Sequence, residues 1–249
     1  MLTDSANDGS GYSISLDATT GAPTVTDIHG NKYSGNVVTD SNGNQMSQTL
    51  STSGCPHGAT SCLVYTDTLG TTVLTFSSGT GAGAPQYWTY TAPNGSPVDV
   101  TVSYASYSIK TVFGCGILEA PYGGSFNAYL VDRITLPDGT YYAFTYEGTP
   151  GYSGQFTGRL ASIRYPTGGQ TTYTYSGTNN GMNCYDGGPS GLSVTNVDGT
   201  WNWSHPLTGT TSYTTLETDP AGNQTAYWAG NYATGPYETQ RQIIAVQVS

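Results

Sequence analysis

The chain has 249 residues, of which 9% are charged, and its six basic and 16 acidic residues give a formal net charge of −10. This balance disfavours nucleic acid and anionic membranes as partners, because both need clustered Lys and Arg. No apolar run approaches the roughly 18 residues that span a bilayer. The N-terminus, 1–4, lacks the basic and apolar regions of a signal peptide. We therefore expect either that a signal peptide has been removed or that the chain is an internal piece of a longer protein. The sequence starts and ends within a repeating pattern, which favours the internal piece.

The composition indicates an all-β protein. Gly (34 residues) and Tyr (21) are abundant, together with Thr, Ser and Asn. Thr and Tyr favour a pleated, half-buried surface, whereas Gly, Asn and Asp favour turns. Disorder is disfavoured because aromatic residues are plentiful and the net charge is modest for the length. We expect many short strands that are joined by turns.

The first recurring element is the pattern Thr-Asp-x-x-Gly, which occurs four times, at Thr26–Gly30, Thr39–Gly43, Thr66–Gly70 and Thr218–Gly222. In each copy the Asp carboxylate is expected to cap a turn. The Gly is expected to take the positive-φ position that precedes the next strand. The pattern therefore predicts four turns of one kind.

The four cysteines form an even set. Cys55 and Cys62 bound a turn-rich loop whose ends a disulfide would close, which leaves Cys115 to pair with Cys184. Two disulfides predict an oxidising compartment; the alternative is four reduced, buried thiols. Cys55, His57 and Cys62 also suggest metal ligands, but a fourth ligand at zinc-like spacing is missing. We expect no metal and no cofactor.

Between the turns the apolar period is two. Val98, Val100, Val102 and Tyr104 alternate with polar residues, and the segments 144–146 and 171–175 do the same. This alternation predicts half-buried antiparallel strands. No stretch has a helical period with caps, so helix is expected in less than one-tenth of the chain.

A longer internal repeat lies in the second half. Ile134–Tyr146 recurs as Ile163–Tyr175, 29 residues later, with Ile, Pro, Gly and an aromatic-Thr-Tyr ending in the same register. Self-similarity at a fixed period is typical of repeat architectures. The two copies are expected to form equivalent hairpins, with Phe144 and Tyr173 in matching places and Gly139 and Gly168 in turns.

The tryptophans are candidates for sugar-stacking platforms. They lie in the aromatic pairs Tyr87-Trp88, Trp201-Asn-Trp203 and Tyr227-Trp228. Adjacent residues of a strand face opposite sides, so the alternative is that at least one ring of each pair packs in the core. The candidate residues are Trp88, Trp201, Trp203 and Trp228.

The C-terminal run is an unguarded strand candidate. Its apolar residues are Ile243, Ile244, Val246 and Val248, and the whole chain has only two lysines. Soluble proteins normally guard sheet edges with Lys, Pro or a covering element. We therefore expect this run to add to another copy of the chain, or to further repeats of a longer chain, by β-augmentation.

Catalytic patterns are weak. A glycosidase needs two carboxylates that face each other across a sugar, and the acids that were considered lie in turn signatures or beside strands: Glu119, Asp132, Asp138, Glu147 and Asp198. The Gly-x-Ser-x-Gly elbow of a serine hydrolase is missing. The sequence therefore predicts a protein that is not an enzyme.

Three segments carry a resemblance to a known family: Leu136–Tyr146, Gly158–Tyr175 and Thr218–Gln224. Their Pro-Asp-Gly and Asp-Pro-Ala-Gly-Asn turns, Tyr-x-Tyr strand ends and Gly-Arg-Leu start resemble the YD-repeat, or RHS-repeat, family. The resemblance implies a continuous sheet of antiparallel β-hairpin repeats, of the kind that builds shells or presents adhesive surfaces. We divide the chain into a β-rich segment with Thr-Asp-x-x-Gly turns, 1–115, and a YD/RHS-like repeat segment, 116–249, which together allow one continuous domain.

The resulting functional hypothesis is a structural segment of an extracellular or cell-surface protein. It would act as a scaffold, shell or self-assembling fibre through strand pairing. The alternatives are a carbohydrate-binding or adhesive β-module with glycan partners and, third, a hydrolase with an unrecognised site.

Overall fold

The computed structural model describes residues 2–114, 116–121, 126–182, 184, 188–205, 212–232 and 235–244. The chain divides into two compact units. The first unit comprises Met1–Val102 and Leu136–Asp138, and the second comprises Ser103–Thr135 and Gly139–Ser249.

The secondary structure consists of strands joined by turns. Within the described residues 56% of the chain is strand and 3% is helical, the latter in two 3₁₀ turns, Pro56–Gly58 and Thr178–Gly181. The strands are β1 (Leu2–Ser5), β2 (Ser13–Leu16), β3 (Pro23–Thr26), β4 (Lys32–Ser34), β5 (Val37–Thr39), β6 (Gln45–Ser51), β7 (Cys62–Thr66), β8 (Thr72–Ser78), β9 (Gln86–Thr91), β10 (Pro97–Ile109), β11 (Phe126–Thr135), β12 (Tyr141–Gly148), β13 (Phe156–Arg164), β14 (Gln170–Gly177), β15 (Ser190–Asn196), β16 (Gly199–His205), β17 (Ser212–Thr218), β18 (Gln224–Tyr232) and β19 (Gly235–Ile244).

The topology is a meander. Nineteen strands belong to one sheet, and β1 to β10 and β11 to β19 each pair with the next strand in antiparallel register. One parallel bridge, between Ile109 of β10 and Phe156 of β13, departs from this pattern. The predicted all-β, antiparallel fold with little helix is confirmed.

The Asp turns are built alike, and Asp40 illustrates them. Its N–H donates to the Asn44 carbonyl at 2.9 Å, and Gly43 N–H donates back to the Asp40 carbonyl at 3.1 Å. Asp40 Oδ1 accepts the Asn44 N–H and Oδ2 accepts the Asn44 side-chain amide, both at 2.8 Å. Gly43 has φ 89°, in the left-handed region that favours glycine. The same bonds recur at Asp27 and Asp219, and the Asp67 turn has the backbone pair and the Oδ1 bond, so the prediction of one repeated turn is confirmed.

The 29-residue repeat is also confirmed. Ile134 pairs with Tyr142 in the first copy, and Ile163 pairs with Thr171 in the second, which is the same register 29 residues on. The turn glycines, at 139 and 168, have φ of 82° and 88°. Two equivalent hairpins therefore follow each other along the second unit.

The strands of the second unit separate apolar from polar side chains. One row across five strands is made only of hydroxyl side chains: Thr145, Ser162, Thr172, Thr195 and Thr200. Because successive residues of a strand face opposite sides, Phe144, Ile163, Tyr173, Val194 and Trp201 lie on the opposite face. The apolar side chains that are buried among the described residues are few: Cys62, Ile109, Phe113, Cys184 and Ala226.

Candidate functional site

The predicted disulfide between Cys55 and Cys62 is present and closes the loop between β6 and β7. Its Cα atoms are 5.6 Å apart, and Cys62 is 4% exposed. Both sulfurs are consumed by the bond, so neither serves as a thiolate ligand for a metal. Of the second predicted pair, Cys184 is buried and disulfide-bonded, whereas Cys115 lies outside the described residues.

The closed loop places His57 against the face of the sheet. His57 lies in the Pro56–Gly58 turn with φ 57° and ψ 25°, in the left-handed region. Its ring stacks on Tyr87 of β9 at 3.7 Å between centroids, and its Nε2 lies 3.1 Å from Asp99 Oδ2 of β10. Thr89 Oγ1 donates to the other carboxylate oxygen of Asp99 at 2.6 Å.

Strand register brings these residues together. Cys62 pairs with Ser77, Ser77 with Tyr87, and Thr89 with Asp99, so their side chains share one face of β7 to β10. From the sequence, His57 was predicted only as a possible metal ligand and Tyr87 only as part of an aromatic pair, and Asp99 was not identified as their partner. The one available signal was the position of Asp99 among alternating valines, and it does not identify the partner strand.

The contacts among His57, Tyr87 and Asp99 are structural, and we call this cluster the clamp. The side chains of His57 and Asp99 are about one-third exposed, and the imidazole contacts an aromatic ring and a carboxylate. The hydroxyl of Thr89 donates to Asp99 and not to the imidazole. The three groups therefore do not form the hydroxyl–imidazole–carboxylate arrangement of a catalytic triad. The contacts instead fix the disulfide loop on the sheet.

A second cluster surrounds Arg159. Its guanidinium donates to both oxygens of Glu147, from Nε at 2.7 Å and from Nη2 at 2.8 Å. The same group lies 3.9 Å from the ring centroid of Tyr175 and 4.8 Å from that of Phe113. A bidentate, ring-stacked arginine is a strong positioning contact, and here it anchors the segment 111–114 to β13 and β14. Both carboxylate oxygens of Glu147 are thereby bound to Arg159, which is a structural role.

Glu119 likewise has a structural role, because it accepts hydrogen bonds from the backbone. Its Oε1 accepts the N–H groups of Phe113 at 2.6 Å and Gly114 at 2.9 Å. Burial acts to raise the pKa of Glu119, but hydrogen bonds from Thr111, Gly114 and Phe113 outweigh it and leave the pKa below its usual value. The other acids considered, Asp132, Asp138 and Asp198, lie in β11 and in two hairpin turns.

The four tryptophans are half-buried. Trp88 of β9 packs against Phe76 of β8 at 4.7 Å between ring centroids. Trp201 and Trp203 share one face of β16, opposite Val194 and Leu192 of β15. Trp228 lies in β18 opposite Thr214. A ring contact is therefore present for Trp88, and sugar stacking by the four tryptophans stays a prediction.

The predicted assembly strand falls at the end of β19. Ile243 and Ile244 pair with Thr225 and Gln224 of β18 and are 76% and 40% exposed. Val246 and Val248 lie outside the described residues. Within the described ranges, the pairing of β19 is with β18.

The described residues contain no group of three or more His, Cys, Asp or Glu side chains that could hold a metal ion. They also include no helix that is both long enough and apolar enough to cross a membrane.

No protein-family model matches the sequence, and no curated protein matches it significantly.

Proposed function

We propose that the chain is a structural, non-enzymatic segment of an extracellular or cell-surface protein, which acts as a scaffold, shell or fibre through strand pairing. The proposal rests on the edge of β19 that faces away from β18, for which the described residues provide no partner strand. This strand has ten residues, and its last two, Ile243 and Ile244, are exposed and uncharged. An exposed apolar strand end is a template for further pairing.

Strand β1, the first of the meander, has the features that guard a sheet edge, in contrast to the end of β19. β1 has only four residues and carries Asp4, and its described pairing is with β2. Short strands and charges are the usual guards of a sheet edge. β19 carries Pro236 at its start and Glu238 and Arg241 in its middle, so the unguarded portion is its C-terminal end.

The repeat supports growth of the sheet in one direction. The hairpins at 134–146 and 163–175 have the same register and follow each other in chain order. Further units of this kind would extend the meander strand by strand, as in repeat proteins in general. We propose the YD-repeat, or RHS-repeat, family as the origin of such units, on the motifs at Leu136–Tyr146, Gly158–Tyr175 and Thr218–Gln224.

The cysteines support an extracellular location. The Cys55–Cys62 bond is formed, and Cys184 is also disulfide-bonded. Disulfides persist in oxidising environments and are rare in the cytosol. A disulfide-bonded, sparsely charged sheet is compatible with a secreted or surface-exposed scaffold.

The test is the association state of purified, unglycosylated protein. Light scattering and negative-stain microscopy are expected to reveal concentration-dependent assemblies of regular width. Stable, dispersed monomers at high concentration would contradict the proposal.

A carbohydrate-binding or adhesive module is the second candidate. On the apolar face of β14 to β16, Tyr173 and Trp201 lie in one cross-strand row through Val194, and Tyr175 and Trp203 lie in the next row through Leu192. Because the Tyr175 ring is stacked with Arg159, the three rings of Tyr173, Trp201 and Trp203 are the candidates for a sugar platform on this face. A glycan array separates the two candidates, because a scaffold is expected to give no selective signal.

A further inference from the structure

A cavity of about 250 Å³ lies beside the Cys55–Cys62 disulfide in the first unit. Its floor is apolar, because Leu50 of β6, Leu63 of β7 and Phe76 of β8 pair across neighbouring strands and line it together. The Phe76 ring is supported by Trp88, at 4.7 Å between ring centroids. The cavity therefore offers one aromatic ring and two aliphatic side chains to an occupant.

Four hydroxyl side chains also line the cavity. They come from the loop before β7, from the last residue of β8 and from the loop after it: Thr60, Ser61, Ser78 and Thr80. Within the described residues, none of the four takes part in a side-chain hydrogen bond. Elsewhere hydroxyls of neighbouring strands bond to each other, as Ser47 and Thr66 do at 2.6 Å. The cavity hydroxyls are therefore available to a ligand.

The lining has no charged side chain. The residues that line the cavity, all of them described, include no Asp, Glu, Lys, Arg or His. A charged ligand would therefore lose water without gaining a counter-charge. A wholly apolar ligand would strip water from the four hydroxyls without replacing its hydrogen bonds. The lining favours an uncharged ligand that carries both hydroxyl groups and an apolar surface.

Strand pairing and size narrow the occupant further. β6 pairs with β5 and β7, β7 with β6 and β8, and β8 with β7 and β9. A peptide therefore cannot add to these strands by β-augmentation, which needs an exposed sheet edge. The volume of about 250 Å³ also lies below the range of about 300–1,000 Å³ that takes drug-sized ligands. The cavity suits a ligand of one small ring with its substituents.

The two loops that carry the hydroxyls are closed by bonds of their own. The Cys55–Cys62 disulfide closes the loop with Thr60 and Ser61, and the clamp at His57 fixes that loop on the sheet. On the other side, Gly79 N–H donates to the Pro85 carbonyl at 2.9 Å and closes the loop that carries Thr80. Groups that are already held in place lose less conformational entropy when they bind a ligand.

We propose that this cavity binds one uncharged hexopyranose residue of a glycan. The C–H face of the sugar ring lies against Phe76, because the face of an aromatic ring carries partial negative charge and attracts C–H groups. The sugar hydroxyls exchange hydrogen bonds with the four hydroxyl side chains of the lining. This inference rests on the second candidate function, carbohydrate binding, and is independent of strand addition at β19.

The experiment is saturation-transfer NMR of the whole chain with methyl β-glucoside, methyl β-galactoside and methyl α-mannoside. This method observes the protons of the ligand, so assembly of the chain does not obscure the result. Sorbitol is the matched ligand, because it has the hydroxyls of a hexose but no ring face. We expect saturable transfer to the ring protons of at least one glycoside and none to sorbitol under the same conditions.

Variants of the lining locate the bound sugar. Thr60→Val and Thr80→Val each remove one exposed hydroxyl and should weaken binding about threefold to tenfold, the effect of losing one neutral hydrogen bond. Ser78→Leu puts a larger apolar side chain into the cavity and should abolish binding. Thr49→Val is the matched control, because Thr49 is exposed, precedes Leu50 on β6 and faces the opposite side of the strand. Circular dichroism checks that each variant is folded.

Transfer to none of the three glycosides, equal transfer to sorbitol, or equal losses in Thr49→Val and Thr60→Val would overturn the proposal. It would also be overturned if Thr60→Val and Thr80→Val left binding intact while Trp201→Ala removed it. Carbohydrate binding would then stand, with the sugar on the face of β14 to β16. Sedimentation of the same samples measures self-association separately, so a monomeric chain that binds a glycoside would contradict the scaffold and leave the cavity standing.

Discussion

Tyr146 and Tyr175 occupy the same place in successive repeats and make the same hydrogen bond. Tyr146 donates its hydroxyl to the carbonyl oxygen of Val131 at 2.7 Å, and Tyr175 donates to that of Leu160 at 3.1 Å. Donor and acceptor are 15 residues apart in both copies. The Tyr of the aromatic-Thr-Tyr ending therefore ties the C-terminal part of each hairpin's second strand to its first strand, three residues before the repeated Ile.

This equivalence predicts equal effects of mutation. Tyr146→Phe and Tyr175→Phe should each lower the free energy of unfolding by about 1 kcal/mol, the usual net value of one hydrogen bond. Urea unfolding followed by fluorescence measures it, with the exposed Tyr129→Phe as the control. A loss at only one of the two sites would show that the repeats are not energetically equivalent.

The turn of the second repeat offers a test of backbone conformation at adjacent glycines. Gly168 has φ 88°, whereas Gly169 lies outside the left-handed region, and a Cβ at Gly169 would meet only ordinary contacts near 3.9 Å. Gly168→Ala should cost about 1 kcal/mol or more, because a Cβ disfavours this conformation. Gly169→Ala should cost much less. The same unfolding measurement on both variants checks this, and equal costs would contradict the assigned turn.

The Asp40 turn predicts a dependence on acid pH. Hydrogen bonds from the Asn44 side chain and backbone hold the pKa of Asp40 below its ordinary value of 3.8. Because the folded pKa is lowered, the turn's contribution is fully present above pH 3.8 and is lost as the pH falls through the folded value. Carboxyl-carbon NMR titration should give a lowered pKa for Asp40.

The control for that titration is Asn44→Ala. This variant should return the pKa of Asp40 toward its ordinary value and leave the pKa of Asp219, which Asn223 lowers in the same way, unchanged. An Asp40 titration that does not respond to Asn44→Ala would exclude the amide–carboxylate bond as the cause.

The disulfide loop yields a stability prediction. Replacing Cys55 and Cys62 with Ala should lower the free energy of unfolding by about 2.5 kcal/mol, the chain-entropy value for a loop of this length. His57→Ala keeps the disulfide but removes the Tyr87 stack and the Asp99 contact, so it should cost about 1 kcal/mol or less. Thermal unfolding of both variants measures the two costs, and a larger loss in His57→Ala would show that the clamp outweighs the covalent bond.

Much of the fold was predictable because its signals are local. The Thr39–Gly43 turn carries its capping Asp and its positive-φ Gly within five residues, and the 29-residue repeat fixes the register of the hairpins by matching Ile134 with Ile163. The short Cys55–Cys62 loop was predictable for the same reason.

Contacts between distant segments were not predictable from such signals. The stack of His57 on Tyr87 depends on the register of four strands, β7 to β10. The row of hydroxyl side chains from Thr145 to Thr200 depends on the register of β12 to β16, and a shift by one residue would move each side chain to the other face. The parallel bridge from Ile109 to Phe156 has no signature in the sequence.

Growth of the sheet through the end of β19 would make the association state depend on concentration, which sedimentation velocity measures. We expect the wild-type chain to associate as concentration rises and the Ile243→Lys/Ile244→Lys variant to stay monomeric, because charged edge residues block strand addition. Val197→Lys, which replaces a 93% exposed residue in the β15–β16 turn, is the matched control and should associate like the wild type. A monomeric wild type, or a double variant that associates as strongly as the wild type, would contradict the account.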